Sequence, residues 1–252
     1  MTKYIAEIGL NHLGDETLAA KTLDILLQSG IDAVTFQIRE KAFYDDPAPE
    51  RRPLSDGFYR GCSQKVRATG KEFGIATCDA DVVPRLASMV DFWKSLSWDL
   101  TNAHLIDAMV ASGKQLYMST GVSSMDDIAA AARRYASAVL IQTQLSQEIS
   151  DVNVMAIKTI ADRTNRKVAF GLHCQNHDVI KLAITLRPAA VFFYVKEVGL
   201  QMYFDDGHAI IREKVAEHVA NWRELESAVG NGEKHAAKRP DWVIITDENE
   251  NG

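Results

Sequence analysis

Short, β-rich apolar runs alternate with helix-length stretches along most of the chain. The runs at residues 4–9 (YIAEIG), 33–37 (AVTFQ), 73–78 (FGIATC), 92–96 (FWKSL), 115–119 (QLYMS), 138–142 (AVLIQ), 167–173 (KVAFGLH) and 190–195 (AVFFYV) predict strands. Between them lie segments rich in alanine, leucine and charge, such as NAHLIDAMVASG and MDDIAAAARRYAS. The pattern predicts helices over residues 15–29, 55–69 and 209–229, and a long polar loop, DDPAPERRP, after the second strand. Strand-like runs each followed by a helix-length segment predict parallel strands with helical crossovers. Eight of them favour a closed (β/α)8 TIM barrel of the α/β class. The competing arrangement is an open doubly wound sheet, which would welcome a GxGxxG fingerprint after the first strand; GLNHLGD does not supply one.

No proline- or glycine-rich linker divides the chain. The barrel is therefore expected over residues 1–230, and residues 231–252 read as a polar extension too short for a second domain. Hydrophobic residues make up 46% of the chain and charged ones 25%, enough for a sizeable core and against disorder. Lys+Arg 28 against Asp+Glu 34 leaves a net charge of -6, which argues against a nucleic-acid binder and still permits an anionic small substrate in a locally positive pocket. The three cysteines are scattered without a CxxC unit and read as reduced thiols. With neither a signal-peptide pattern nor a membrane-length apolar window, the chain is expected to be soluble and cytoplasmic, with no membrane partner. Self-association suits such a barrel, but periodicity specifies no interface.

Barrel sites form where strands end and the following loops begin. Those positions offer Glu7, Asn11 and His12; Gln37 and Arg39; Thr77 and Asp79; Lys94, Ser97, Asp99, Thr101 and Asn102; Ser119, Thr120 and Gly121; Gln142 and Gln144; His173, Asn176, His177 and Asp178; Tyr194 and Lys196; and, in a later loop, His208. Glu7 stands out because it interrupts an apolar strand, where an unpaired carboxylate is costly; a structural hydrogen-bond network is the alternative. Lys94 lies among aromatic and aliphatic neighbours at an inward-compatible period, fit for binding a phosphate or carboxylate, for a Schiff base, or for a structural ion pair. Lys94, Ser97 and the Ser119–Gly121 turn together make an anion cradle, although Ser-Thr-Gly also suits a capped loop. Asp99, Thr101 and Asn102 equally suit helix caps. The segment HCQNHD carries metal-ligating side chains in His173, Cys174, His177 and Asp178, or else ordinary loop histidines.

These strand-end motifs, in this order, resemble the N-acetylneuraminate synthase, or sialic acid synthase, family. The resemblance runs through IAEIGLNHLGD, DAVTFQ, KSLSWDLTN, GKQLYMSTGVSSMDDI, VNVMAIKTI and DDGHAI, and covers about residues 4–230. It implies a (β/α)8 barrel that condenses phosphoenolpyruvate with an N-acylated sugar aldehyde, assisted by a divalent cation, Mn2+ or Mg2+. By position it implies catalytic roles for Glu7 and Asp99, substrate contacts for Asn11, Gln37, Thr77, Lys94, Ser97, Ser119 and Asp206, and metal ligation by His173 and His177. Departures from the family pattern accompany it. Thr35 stands where a lysine is usual, Cys174 and Val195 where metal-binding histidines are usual, and IQTQ where the sixth strand usually ends in His-Cys-Thr. A noncatalytic phosphate- or sugar-binding relative, or altered carbon–carbon bond chemistry on the same barrel, is the alternative.

Overall fold

The computed structural model describes residues 1–199 and 203–236. Strands β1 (Lys3–Gly9), β2 (Ala33–Ile38), β3 (Glu72–Thr77), β4 (Phe92–Ser95), β5 (Gln115–Ser119), β6 (Val139–Gln142), β7 (Val168–Gly171) and β8 (Ala190–Lys196) pair in chain order, each parallel to the next. β8 then pairs with β1, from Lys3 opposite Ala190 to Glu7 opposite Tyr194, and closes the sheet. The crossovers carry α1 (Glu16–Leu27), α2 (Lys41–Tyr44), α3 (Asp56–Ala68), α4 (Val82–Leu86), α5 (Ala103–Ala111), α6 (Met125–Arg134), α7 (Ala156–Thr164) and α8 (Val179–Ile184). A short strand β9 (Ile210–Ile211) joins β8 before the last described helix, α9 (Val215–Ala228). The result is the α/β TIM barrel that the alternation predicts, an eight-stranded parallel barrel ringed by helices.

Strand alternation separates two apolar regions. Tyr4, Ala6, Ile8, Val34, Phe36, Phe73, Ile75, Trp93, Met118, Phe170 and Phe193 pack outward against the helices, while Ile5, Ala33, Phe92, Tyr117, Ile141, Ala169 and Phe192 fill the interior. The inner fill is tight: a Cβ on Gly74 would lie 2.1 Å from the Phe92 ring. Capping sets where helices begin. Asp15 accepts from the Thr17 and Leu18 amides, Ser55 from Phe58, and Ser124 forms a reciprocal capping box with Asp127. Among the three residues suited to capping after β4, Asn102 does cap α5, through the Leu105 amide.

The structure departs from the pattern in three places. The loop after β2 contains α2 and a 3-10 turn at Pro49–Arg51. The last helix begins at Val215 rather than 209, because Ile210 and Ile211 pair with Val195 and Lys196 and a 3-10 turn follows at Arg212–Lys214. Strand β7 ends at Gly171, two residues early, which releases His173 into the loop. The polar extension over residues 231–252 lies outside the described residues from 237 onward. Among the described residues, no helix is long and apolar enough to cross a membrane.

Candidate active site

A cavity of about 340 Å3 opens at the C-terminal ends of the strands, lined in part by Gln37, Arg39, Lys94, Ser97, Ser119, Thr143, His173, Tyr194, Asp205 and His208. At its floor the Lys94 ammonium donates to Glu7 Oε2 at 2.5 Å, with both side chains almost wholly buried. Strand parity turns both inward, and a register shift in β1 between Glu7 and Gly9 sits beside the carboxylate. The ammonium also lies 5.2 Å from the Phe192 ring centroid and 5.6 Å from that of Tyr194, so aromatic faces help to hold a cation far from water. Burial pushes the Glu7 carboxyl above its ordinary range, against the opposing pull of Lys94.

The far wall is built by the loop after β8. Asn11 holds it in place: its Nδ2 donates to the Val195 carbonyl at 2.9 Å and its Oδ1 accepts from the Asp205 amide at 3.2 Å. Burial, then the charge of Glu7, raises the Asp205 carboxyl to about 7 despite Lys94 nearby. His208 packs 4.9 Å from His173 and edge-on to Tyr194 at 5.1 Å, centroid to centroid. Both His208 ring nitrogens are buried without a hydrogen-bond partner, and burial lowers its pKa to about 4. His173 shares a 2.8 Å hydrogen bond between Nδ1 and the Thr143 hydroxyl, and burial keeps it neutral as well. Opposite, Ser97 comes close to the turn after β5 because residue 121 is glycine; a Cβ there would sit 2.7 Å from Ser97 Oγ.

The arrangement thus combines a buried cation, two serine hydroxyls, carboxyls able to exchange protons and two neutral imidazoles in one small space. A larger cleft of about 890 Å3 lies at the opposite end, around the strand starts. Its lining is mostly apolar, and two of its arginines are engaged: Arg223 pairs with Asp32 and Arg166 donates to the Ala132 carbonyl. The chemistry lies at the other mouth.

A model of the NeuB family matches residues 50–234. The chain belongs to the NeuB family. An uncharacterized protein of Methanocaldococcus jannaschii is 28% identical over 92% of this chain and 73% of its own length. The N,N'-diacetyllegionaminic acid synthase of Legionella pneumophila is 25% identical over 91% of the chain and 74% of its own. Among solved structures, the N-acetylneuraminic acid synthetase of Leptospira borgpetersenii, crystallised with citrate, superposes with a TM-score of 0.85 at 20% identity. That superposition covers 94% of this chain and 87% of that one, and speaks to the fold.

In this NeuB barrel, the residues singled out from sequence divide into groups. Gln37, Lys94, Ser97, Ser119 and His173 share the cavity wall, Glu7 lies beneath them through Lys94, and Asn11 holds the wall from behind. Thr77 is not brought in; it follows outward-facing Phe73 and Ile75 on β3, and its hydroxyl accepts from the Asp79 amide. Asp99 stands off the cavity, with Oδ1 accepting from Asn102 and Oδ2 buried without a partner. Asp206 pairs with Lys196 at 2.6 Å, and its neighbour Asp205 lines the cavity instead.

His177 turns away from His173: its Nε2 meets the His208 carbonyl at 3.1 Å and its ring packs on His218. Cys174 and Val195 are buried on the outer face of the barrel wall. Among the described residues, no group of three or more His, Cys, Asp or Glu side chains stands together as a metal site. Sequence reasoning missed Asp205 altogether. The only signal was the Asp-Asp-Gly tandem, and loop residues have no strand parity to tell one aspartate from the next.

Proposed function

We propose that the chain condenses phosphoenolpyruvate with an N-acylated sugar aldehyde to form a nonulosonic or related sugar acid. The observation that carries this reading is the Lys94–Glu7 pair inside the barrel beneath the Ser97 and Ser119 hydroxyls. NeuB membership and the names of the Legionella and Leptospira proteins support the same chemistry. In the proposed reaction, C3 of phosphoenolpyruvate bonds to the aldehyde carbon, whose oxygen takes up a proton. Water adds to C2 and gives up a proton. The C2–O bond to phosphorus then breaks, releasing inorganic phosphate and leaving a 2-oxo acid.

Lys94 and the two serines meet the anionic enol phosphate, while Glu7 and Asp205 hold and pass the protons. With its pKa near 7, Asp205 can do so in either direction at neutral pH. A divalent cation, Mn2+ or Mg2+, belongs to this reading; His173 and His208 would offer it imidazole nitrogens and Asp205, 3.7 Å from His208 Nε2, the carboxylate oxygen such ions favour. When bound, it supplies polarisation of the aldehyde carbonyl. His177, committed to a backbone carbonyl, does not fit that role. The different partners of His173 and His177 favour a second reading, a noncatalytic phosphate- or sugar-binding protein.

The test is to incubate the protein with phosphoenolpyruvate, N-acylated sugar aldehydes and either cation while measuring phosphate release and thermal unfolding. Phosphate should appear in step with a 2-oxo acid and vanish in Lys94→Ala. Thermal protection without phosphate release would favour the binding role, and neither signal would refute both readings.

A further inference from the structure

We infer that Arg39 is a second anion-binding residue of this cavity, taking a phosphate oxygen at the rim while Lys94 serves the floor. The inference deepens the proposed enol-phosphate chemistry and rests on it for the identity of the substrate. Inside the barrel, the cationic charge of Lys94 is already matched by Glu7. The inward positions of β2 that precede Arg39, namely Ala33, Thr35 and Gln37, carry no cation, and the Thr35 hydroxyl is spent on the Phe36 carbonyl. A phosphomonoester brings close to two negative charges of its own. Arg39 directly follows the last residue of β2, and it lines the cavity with Lys94, Ser97 and Ser119.

The side chain is built into place. The Arg39 amide donates to the Tyr44 hydroxyl at 3.0 Å, tying the end of β2 to α2. Its guanidinium carbon lies 5.0 Å from the Phe43 ring centroid and 5.4 Å from that of Trp98. Phe43 in turn packs against Phe204 of the far wall, with centroids 5.6 Å apart. Two separate chain segments, carrying Phe43 and Trp98, therefore converge on one guanidinium, which a surface ion pair would not need. Glu40 accepts from Nε and Nη2, each at 2.9 Å, which orients the plane and leaves Nη1 outside that fork. A planar, oriented guanidinium at a cavity wall suits phosphate recognition better than a mobile ammonium does. Trp98 is half-exposed, so bound ligand would also bury apolar surface there.

Isothermal titration of wild type, Arg39→Met and Arg39→Lys with phosphoenolpyruvate and, separately, with inorganic phosphate tests this. Thermal melts of all three proteins establish that they fold alike. Arg39→Met should weaken both ligands about tenfold, the size of one lost charge-assisted hydrogen bond. Arg39→Lys should fall between, keeping the charge and losing the fork. Unchanged phosphate affinity in Arg39→Met, with normal melting, would overturn the assignment. If wild type binds phosphate but not phosphoenolpyruvate, and Arg39→Met still loses phosphate, the rim site stands and the proposed substrate falls. If wild type binds neither, both fall.

Discussion

Two layers of side chains inside the barrel come from the same strands, two residues apart, and have opposite character. The lower layer, with Ile5, Phe92, Tyr117 and Phe192, is apolar and packed edge-on: Phe92 to Tyr117 at 5.4 Å and Tyr117 to Phe192 at 5.1 Å between centroids. The upper layer carries Glu7, Lys94, Ser119 and Tyr194. The lower layer gains stability from burial, whereas the upper one gives some up by taking charge out of water. The two layers divide the labour. A rigid apolar plug fixes the Cα positions of the strands, and the next inward residue of each strand then inherits a defined place for its polar group.

The upper layer should respond most strongly to a stranded charge. Lys94→Met should destabilise the fold by about 3–5 kcal/mol in denaturant melts, because Glu7 loses the counter-charge paired with it while staying buried. Adding Glu7→Gln should restore most of that stability without restoring phosphate release. A double variant as unstable as the single one would show that the cost does not come from the unpaired charge.

The lower layer should respond to volume instead. Gly74→Ala drives a methyl into the Phe92 ring and should cost about 1–3 kcal/mol of overpacking. The remaining folded protein should bind phosphoenolpyruvate normally. A loss of affinity as large as the loss of stability would erase the distinction between plug and site.

Asp205 sharpens the contrast through pH. Its carboxyl moves from 3.8 up to about 7 on folding, so the folded state holds its proton more tightly than the unfolded one. Its stabilising contribution is full below pH 3.8 and is lost as pH rises towards 7. Asp205→Asn should flatten the fall in melting temperature across that window and remove an activity inflection near neutrality. An unchanged pH profile in both would rule Asp205 out as the titrating group. The smallest effect belongs to the periphery: Ser124→Ala removes one capping box and should cost about 1 kcal/mol with ligand affinity unchanged.

How legible the molecule was from its sequence depended on periodicity. The inward positions of Glu7 and Lys94 follow from a two-residue repeat along apolar strands, so their candidacy was readable, although their pairing across 87 residues was not. Gln37 and Ser119 were readable for the same reason. Thr77 misled because strand-end position alone does not reveal which face a residue takes; parity with Phe73 and Ile75 sends it outward. His177 and Asp206 misled because loops lack any repeat, and a one-residue choice between Asp205 and Asp206 is made by the Asn11 bridge from the far side of the barrel. The start of the last helix was lost to a contest in which Ile210 and Ile211 satisfy a helical apolar stripe and a strand pair equally well.

Local alternation and helix-length spacing set the order of the eight barrel strands, the crossover topology and the class of side chain at each strand end, but left β9 hidden in a helical stripe. Tertiary structure alone decided which of those polar ends share a cavity, that Lys94 is held by Glu7, that His208 rather than His177 stands beside His173, and that Arg39 is gripped by Phe43 and Trp98. The reason is physical. Barrel closure juxtaposes residues distant in the chain, and burial then sets their charges, so neither partner nor pKa exists until the last strand meets the first.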